Sequence, residues 1–235
     1  MTGSIYGNSF TITTWGESHG AAIGVVIDGC PAGLPLTEDH IQTFLNRRKP
    51  GQSKYTTARQ ESDRAEILSG VFEGRTTGTP ISLMVRNMDQ RSRDYGQIKD
   101  CFRPGHADYT FHEKYGFRDY RGGGRTSGRE TIGRVAAGAV ASLLLENLGI
   151  HITAYTKSIG RIVIHNESYR YEEIYENPLN KQNNAYARDA ALYLEECIKS
   201  QDSSGGVIEC IIEGMPAGVG EPVFRKLDAC LAQAV

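Results

Sequence analysis

Apolar and polar residues alternate near the start of the chain with the period of a strand. Residues 9–15 interleave apolar and hydroxyl side chains, so one face points inward. A glycine-bracketed turn follows, Gly16-Glu17-Ser18-His19-Gly20. The Ile- and Val-rich run 21–28 then predicts a second strand, punctuated by Gly29-Cys30-Pro31-Ala32-Gly33. Thr37 is placed to cap a helix, with Glu38 and Asp39 in the first turn, where acids suit the helix dipole. Ile41, Phe44 and Leu45 form the buried stripe of that helix, and Pro50-Gly51 stops it.

Residues 51–65 read as a polar loop, and 65–72 and 79–86 as strands. Residues 87–126 show neither period and are crowded with Arg, Gly, Asp and Tyr. So long a stretch in a compact chain is functional or disordered, and its aromatics, from Tyr95 to Tyr120, argue against disorder. A helix is predicted from Ser127, because Ser127-Gly128-Arg129-Glu130 has the capping-box spacing. Val135, Val140 and Leu144 mark its apolar face, and Gly149 ends it. Residues 151–164 read as strand, 187–200 as an amphipathic helix and 206–213 as strand, with Pro222 opening a last helix.

One segment recurs. Ile23-Gly-Val-Val-Ile-Asp-Gly-Cys-Pro-Ala-Gly33 is matched by Ile208-Glu-Cys-Ile-Ile-Glu-Gly-Met-Pro-Ala-Gly218. Each is a strand, then an acid-Gly-x-Pro-Ala-Gly turn, then a helix. The repeat predicts two similar halves within a single domain over residues 1–235. The second half stops after its first strand and helix, and the last helix runs to Val235 with no stop signal, so the chain reads as cut short.

Composition narrows the classes. Of 235 residues, 39% are apolar and 23% charged, ordinary values for a globular domain that needs no metal or disulfide staple. A net charge of −2 argues against a polyanion binder, so affinity for phosphate must come from local clusters. The five cysteines are scattered without zinc spacing, which reads as reduced thiols in a cytosolic protein and no metal site. There is no signal-peptide pattern and no apolar run of membrane-spanning length.

Four clusters can carry chemistry. His19, between glycines at a strand end, is exposed to ligands and titrates near neutral pH; a plain turn with an incidental His is the competing reading. In Arg103-Pro104-Gly105-His106-Ala107-Asp108, Pro and Gly hold Arg103 and His106, and Asp108 is placed to orient the imidazole; an ordinary surface loop competes. In Arg121-Gly122-Gly123-Gly124-Arg125-Thr126-Ser127-Gly128-Arg129, glycines admit a ligand close to the backbone ahead of a helix N-terminus, and three arginines offer bidentate donors. This is neither a Walker loop nor the dinucleotide fingerprint, and a solvated helix start or an RGG-like nucleic-acid segment would also produce it. The basic run Arg47-Arg48-Lys49, with Lys54 and Arg59 beyond it, is either a solvated helix end or part of an anion site. Taken together, constrained histidines among arginines, lysines and glycines fit a small substrate bearing several negative charges. No thiol, serine triad or metal set competes.

At these residues the chain resembles the chorismate synthase family. Gly16-Glu-Ser-His-Gly20 followed by Val25-Val-Ile-Asp-Gly-Cys-Pro31 is similar to the family's first signature. Gly124-Arg-Thr-Ser-Gly-Arg-Glu-Thr131, with Val135 and Gly138, is similar to its second. Asp89-Gln-Arg-Ser-Arg-Asp-Tyr95, Arg103-Pro-Gly-His-Ala-Asp108 and Asp119-Tyr-Arg-Gly-Gly-Gly124 also resemble family sequence, and the likeness spans essentially the whole chain.

The resemblance implies a carbon–oxygen lyase that loses phosphate from 5-enolpyruvylshikimate 3-phosphate by 1,4-anti elimination to give chorismate, the last common step of the shikimate pathway. It implies reduced FMN with no net redox change; NADPH-dependent flavin reduction varies between members. By the same likeness His19 protonates the departing phosphate and His106 sits against the flavin. Arg48, Lys54, Arg103 and Arg129 bind substrate, and Arg125, Thr126 and Ser127 touch the flavin. Lys54 stands where relatives carry Arg, which keeps the charge and loses the fork. The implied fold is an α/β sandwich with antiparallel sheets and internal helices, in a cytoplasmic homotetramer that binds neither membrane nor nucleic acid. The third signature, with its Arg-x-Asp, is absent, so the chain alone is expected to lack full activity and to hold FMN weakly. A catalytically incomplete piece with an assembly or binding role is the alternative.

Overall fold

A computed structural model describes residues 3–57, 59–88 and 99–235. Expectations that fall on residues 89–98, including the motif Asp89 to Tyr95, lie outside the described residues. The chain divides into two compact units. One holds residues 1–51, 58–144 and 230–235, and the other residues 52–57 and 145–229.

The first unit is built on an antiparallel sheet. Strands β1 (Ile5–Gly7), β2 (Thr11–Gly16), β3 (Ala22–Asp28), β4 (Ala65–Ile67) and β7 (Ile81–Arg86) join in the order β1-β2-β3-β7-β4. Between β4 and β7, β5 (Val71–Phe72) and β6 (Arg75–Thr76) form a separate ribbon, so the expected strand 65–72 is two short pieces. Ile81, Leu83 and Val85 alternate with less buried neighbours along β7, as a half-buried strand requires.

Helices α1 (Glu38–Arg48) and α3 (Thr131–Glu146) supply the other half of this core. Ile41 and Leu45 of α1 and Ile132, Ala136, Ala139 and Val140 of α3 share one buried cluster with Ile23, Val25 and Ile27 of β3. Each large side chain in that cluster contributes roughly 1.5–3 kcal/mol by leaving water. Thr37 takes the N-cap position of α1 as expected, and its backbone N–H donates to Nδ1 of His40 at 3.2 Å.

Three other expectations are corrected here. Residues 108–115 of the irregular stretch form a helix, α2 (Asp108–Tyr115), closed by Gly116 in the left-handed region. Ser127 does cap, accepting from the Arg129 N–H, and a 3-10 turn, Gly128–Glu130, leads into α3. Glu130 does not reach back to close a capping box; its carboxylate accepts from the Thr14 hydroxyl at 2.9 Å and from Arg134 at 3.1 Å.

The second unit has its own antiparallel sheet, β10 (Gly206–Glu213), β8 (His151–Ile159), β9 (Ile162–Val163), in that order, with α4 (Asn184–Lys199) against β9. The expected strand 151–164 breaks between β8 and β9. Its core mixes Ile150, Ile164, Ile174, Ala187 and Ala190 with buried polar groups. The Tyr155 hydroxyl donates to the Glu209 carboxylate, which also pairs with Lys157 at 2.5 Å. Buried Lys181 donates to the carbonyls of Thr156 and Lys157 at 3.3 and 3.1 Å. β10 is an edge strand, and Val207 and Ile208 on it are 52% and 68% exposed. The last helix, α5, runs Leu227–Ala234, five residues beyond the expected start at Pro222, which lies in a turn instead.

The sequence repeat is a structural repeat. After β3, Gly29 and Gly33 have φ of +78° and +90°; after β10, Gly214 and Gly218 have +75° and +89°. A Cβ on Gly29 would stand 1.7 Å from the Ser9 carbonyl oxygen, and one on Gly214 2.0 Å from that of Gly149. Both turns therefore demand glycine twice over, by dihedral and by contact. The fold is mixed α/β with antiparallel sheets and helices, as the resemblance implies.

Candidate active site

His19 sits in the turn that joins β2 to β3, and three elements fix that turn. The Asn87 side-chain amide, just past β7, donates to the carbonyls of Glu17 and Gly20 at 3.0 and 2.7 Å. Arg59 donates to the Ser18 carbonyl at 3.3 Å. The Ser18 backbone N–H donates to the Gly124 carbonyl at 3.4 Å, bringing the glycine-rich loop onto the turn. Buried Ser18 lies with its hydroxyl 3.0 Å from Nδ1 of His19. Gly122, with φ +68°, lies directly against the imidazole.

The half-buried imidazole is surrounded by charge. Burial lowers its pKa below the ordinary value, and the Arg59 guanidinium lowers it further. Asp119 opposes the trend, while Arg121 and Arg103 add to it. Asp119 in turn holds Arg121 by a bidentate pair at 2.7 and 2.9 Å, which keeps the Asp119 carboxyl below its usual range.

Behind this turn a chain of ion pairs runs from Arg59 to Arg48. Arg59 meets Glu61 at 2.6 Å, and the other Glu61 oxygen lies 3.6 Å from Arg129. Arg129 meets Asp63 at 2.9 Å, and Asp63 meets Arg48 at 3.1 Å. Arg48 also donates to the Thr131 hydroxyl and the Gly128 carbonyl, both at 2.9 Å, and so reaches the start of α3. Arg129 is buried, and its Nε donates to Asn87 Oδ1 at 2.5 Å. Its two terminal nitrogens find no aligned hydrogen-bond acceptor among the described residues.

Each residue expected at the site has a definite place. Arg103 forks onto Asp108 with two contacts of 2.8 Å and donates to the Gly122 carbonyl at 2.8 Å, so it stands beside the His19 contact. The expected Asp108–His106 interaction is replaced. Asp108 binds Arg103 and lies 3.7 Å from Arg118, and its carboxyl is driven down to about 2 by those partners. His106 is exposed, with Nδ1 3.1 Å from the Pro104 carbonyl. Arg125 turns inward and donates to the carbonyls of Gly16 and Thr14 and to the hydroxyls of Thr14 and Ser4. The Thr126 hydroxyl donates to the Gly123 carbonyl at 2.7 Å. Lys54 belongs to the second unit and pairs there with Glu195 at 2.5 Å. Sequence reasoning missed Glu61, Asp63 and Asn87, and it named Asp119 only as part of a family-like motif, without a role.

Among the described residues no group of His, Cys, Asp and Glu is placed to hold a metal ion, and all five cysteines are free. No described helix is long and apolar enough to cross a membrane. Among the described residues, Arg59, Arg103 and Arg121 and the carboxylate of Asp119 act on one titratable imidazole, and the ion-pair chain through Arg129 and Arg48 adjoins it. Chemically it can hold a polyanion and move one proton.

The family profile for chorismate synthase matches residues 10–235. The chorismate synthase of Agathobacter rectalis is 61% identical over the whole chain, and that of Lachnoclostridium phytofermentans is 63% identical. The chain spans 64% of the length of each of those relatives. A crystal structure of chorismate synthase superposes with a TM-score of 0.77 at 33% identity, covering 96% of this chain and 64% of that one. By the profile match over nearly all of its residues, the chain belongs to the chorismate synthase family.

Proposed function

We propose that the chain carries the phosphate-binding and proton-donating part of an active site that converts 5-enolpyruvylshikimate 3-phosphate into chorismate. In that reaction a ring C–H bond and the C–O bond to phosphate break, a new double bond forms, and inorganic phosphate leaves. The observation that carries the proposal is His19, held against Gly122 with Arg59, Arg103 and Arg121 near enough to shift its titration.

The lowered pKa fits the role through a change of sign on binding. With no anion beside it, burial and the guanidiniums favour the neutral imidazole. A phosphate dianion placed there offsets those positive fields and favours imidazolium. Substrate thus favours the protonated form of His19, which can give its proton to the departing phosphate oxygen. Arg48, Arg103 and Arg129 are the cations for phosphate and carboxylates.

Residues 124–128 also fit an anionic, flat cofactor. Cβ atoms built on Gly124 and Gly128 meet nothing within 4 Å, so the backbone there is open to close approach. The cofactor we propose is reduced FMN, which Arg125, Thr126 and Ser127 would hold together with His106. It supplies an electron-rich ring that is not consumed. The three side chains already bond to the protein, which fixes the shape of that platform before anything binds. The whole protein acts, in this proposal, as a cytoplasmic homotetramer.

The test is an anaerobic chorismate assay with reduced FMN on the 235-residue chain, on a version extended to the relatives' length, and on His19→Ala in whichever is active. We expect His19→Ala to lose about 10²–10⁴-fold in turnover, the range for a positioned acid. No chorismate from either length overturns the proposal.

A further inference from the structure

Asp63 is the least expected member of the charged chain. It lies in a stretch with no regular structure, its side chain is fully buried, and its backbone φ is +45°. A buried carboxylate on left-handed backbone pays two costs, desolvation and backbone strain. Asp and Asn bear that conformation better than other non-glycine residues. What the site gains is geometry. One Asp63 oxygen meets Arg48 at 3.1 Å and the other meets Arg129 at 2.9 Å, so a single carboxylate spaces two guanidiniums.

Each arginine is also anchored by contacts of its own. Arg48 keeps Nε and one terminal nitrogen on Thr131 and Gly128 and gives the other to Asp63. Arg129 is anchored through Nε to Asn87. Its terminal nitrogens lie within ion-pair distance of Asp63 and Glu61 yet align with neither as hydrogen-bond donors. Unaligned donors on a buried guanidinium cost free energy unless a ligand takes them up. Burial also pulls the Arg48 guanidinium down, and the Asp63 charge works against that.

Resting on the function proposed above, we infer that Asp63 is a positioning residue: it spaces Arg48 and Arg129 as one receptor for the phosphate and carboxylate charges of the substrate. It touches no substrate itself. Its charge lowers the raw attraction of the site for anions, and its geometry raises the discrimination. These two effects have opposite signs, so one substitution separates them.

Asp63→Asn keeps the shape, keeps the tolerance for left-handed backbone and removes the charge. Binding of inorganic phosphate and of 5-enolpyruvylshikimate 3-phosphate is measured by calorimetry on the wild-type chain and on the variant, with thermal melting as the check on folding. We expect the variant to bind inorganic phosphate at least as tightly as wild type, because the cluster is more positive by one charge. The substrate, whose charges have fixed spacing, should bind at least tenfold more weakly. Equal substrate affinity in the two proteins overturns the inference, and so does a parallel loss for both ligands, which marks a role in folding alone. Wild-type protein that binds phosphate and ignores the substrate at both lengths, the 235-residue chain and its extended version, overturns the proposed function first, and this inference with it.

Discussion

Gly122 and His19 touch so closely that a Cβ on the glycine would stand 2.1 Å from Nδ1 of the imidazole. The same glycine has φ +68°, where an L side chain costs about 1–2 kcal/mol. Gly122→Ala must therefore push the imidazole aside or move the loop that carries Arg121 and Arg125. We expect a folded protein with a melting point several degrees lower and turnover reduced about 10²-fold, the scale of an ångström-sized misplacement. Melting curves and rates measured on the same preparation check this; wild-type turnover would show that the imidazole tolerates displacement.

The titration of His19 gives a second prediction. Its folded-state pKa is lowered, chiefly by burial and then by Arg59. The neutral form is thus favoured by folding. The stability this contributes is present above the ordinary histidine value of about 6.5 and is lost as pH falls from there through the lowered folded value. Inorganic phosphate should reverse the shift. An NMR titration of the imidazole is expected to show a midpoint below 6.5 in free protein and a higher one with phosphate. A midpoint indifferent to phosphate counts against His19 as the proton donor.

Much of this site could be read in the sequence because glycine and proline punctuate it. The turn bearing His19, the loop 121–129 and the Arg103–Asp108 segment all announced themselves, and the first two meet at Gly122. Glu61 and Asp63 did not. They sit in a polar loop without period, and their partners Arg48 and Arg129 lie 15 and 66 residues from Asp63, a pairing that only the fold creates. Local pattern also misassigned Asp108, since the neighbouring Arg103 outcompetes His106 for its carboxylate through a bidentate fork. Helix α2 was missed because Ala107, at its N-cap, gives no side-chain signal there. In the fold, the repeat with its twin glycines was the strongest long-range signal, and both copies reproduce the same dihedrals.

The Arg103–Asp108 fork is itself testable. Arg103 holds the Asp108 carboxyl down to about 2, below the ordinary carboxylate value. The stabilisation is complete above about pH 4 and is lost as pH falls toward 2. Urea unfolding midpoints from pH 5 to pH 2 should fall more steeply for wild type than for Asp108→Asn, which lacks the titrating group. Parallel slopes would mean the fork contributes nothing.

Arg125 offers a prediction about rigidity. Its guanidinium ties the glycine-rich loop to β2 through Gly16, both acceptors of Thr14, and Ser4. Lysine keeps the charge and cannot span those acceptors. Arg125→Lys should cost roughly 2–3 kcal/mol, from the loss of charged hydrogen bonds. Denaturant unfolding reads that loss directly, and an unchanged midpoint would show that the loop is held by other contacts.

The twin strand pairs differ in one respect that governs the order of events as the chain folds. β2 meets β3 between residues 16 and 23, whereas β8 meets β10 between residues 159 and 206. Closing the longer loop costs about 1.7 kcal/mol more in chain entropy. The first ribbon therefore zips early from a local turn, and the second waits for α4 and its neighbours to collapse. Pulse-labelled hydrogen exchange should find the amides of β2 and β3 protected before those of β8 and β10; simultaneous protection would show that the two halves fold as one. During that interval β10, with its exposed Val207 and Ile208, is a bare template for another strand, so the newly made second half is where a chaperone or a stray copy would take hold.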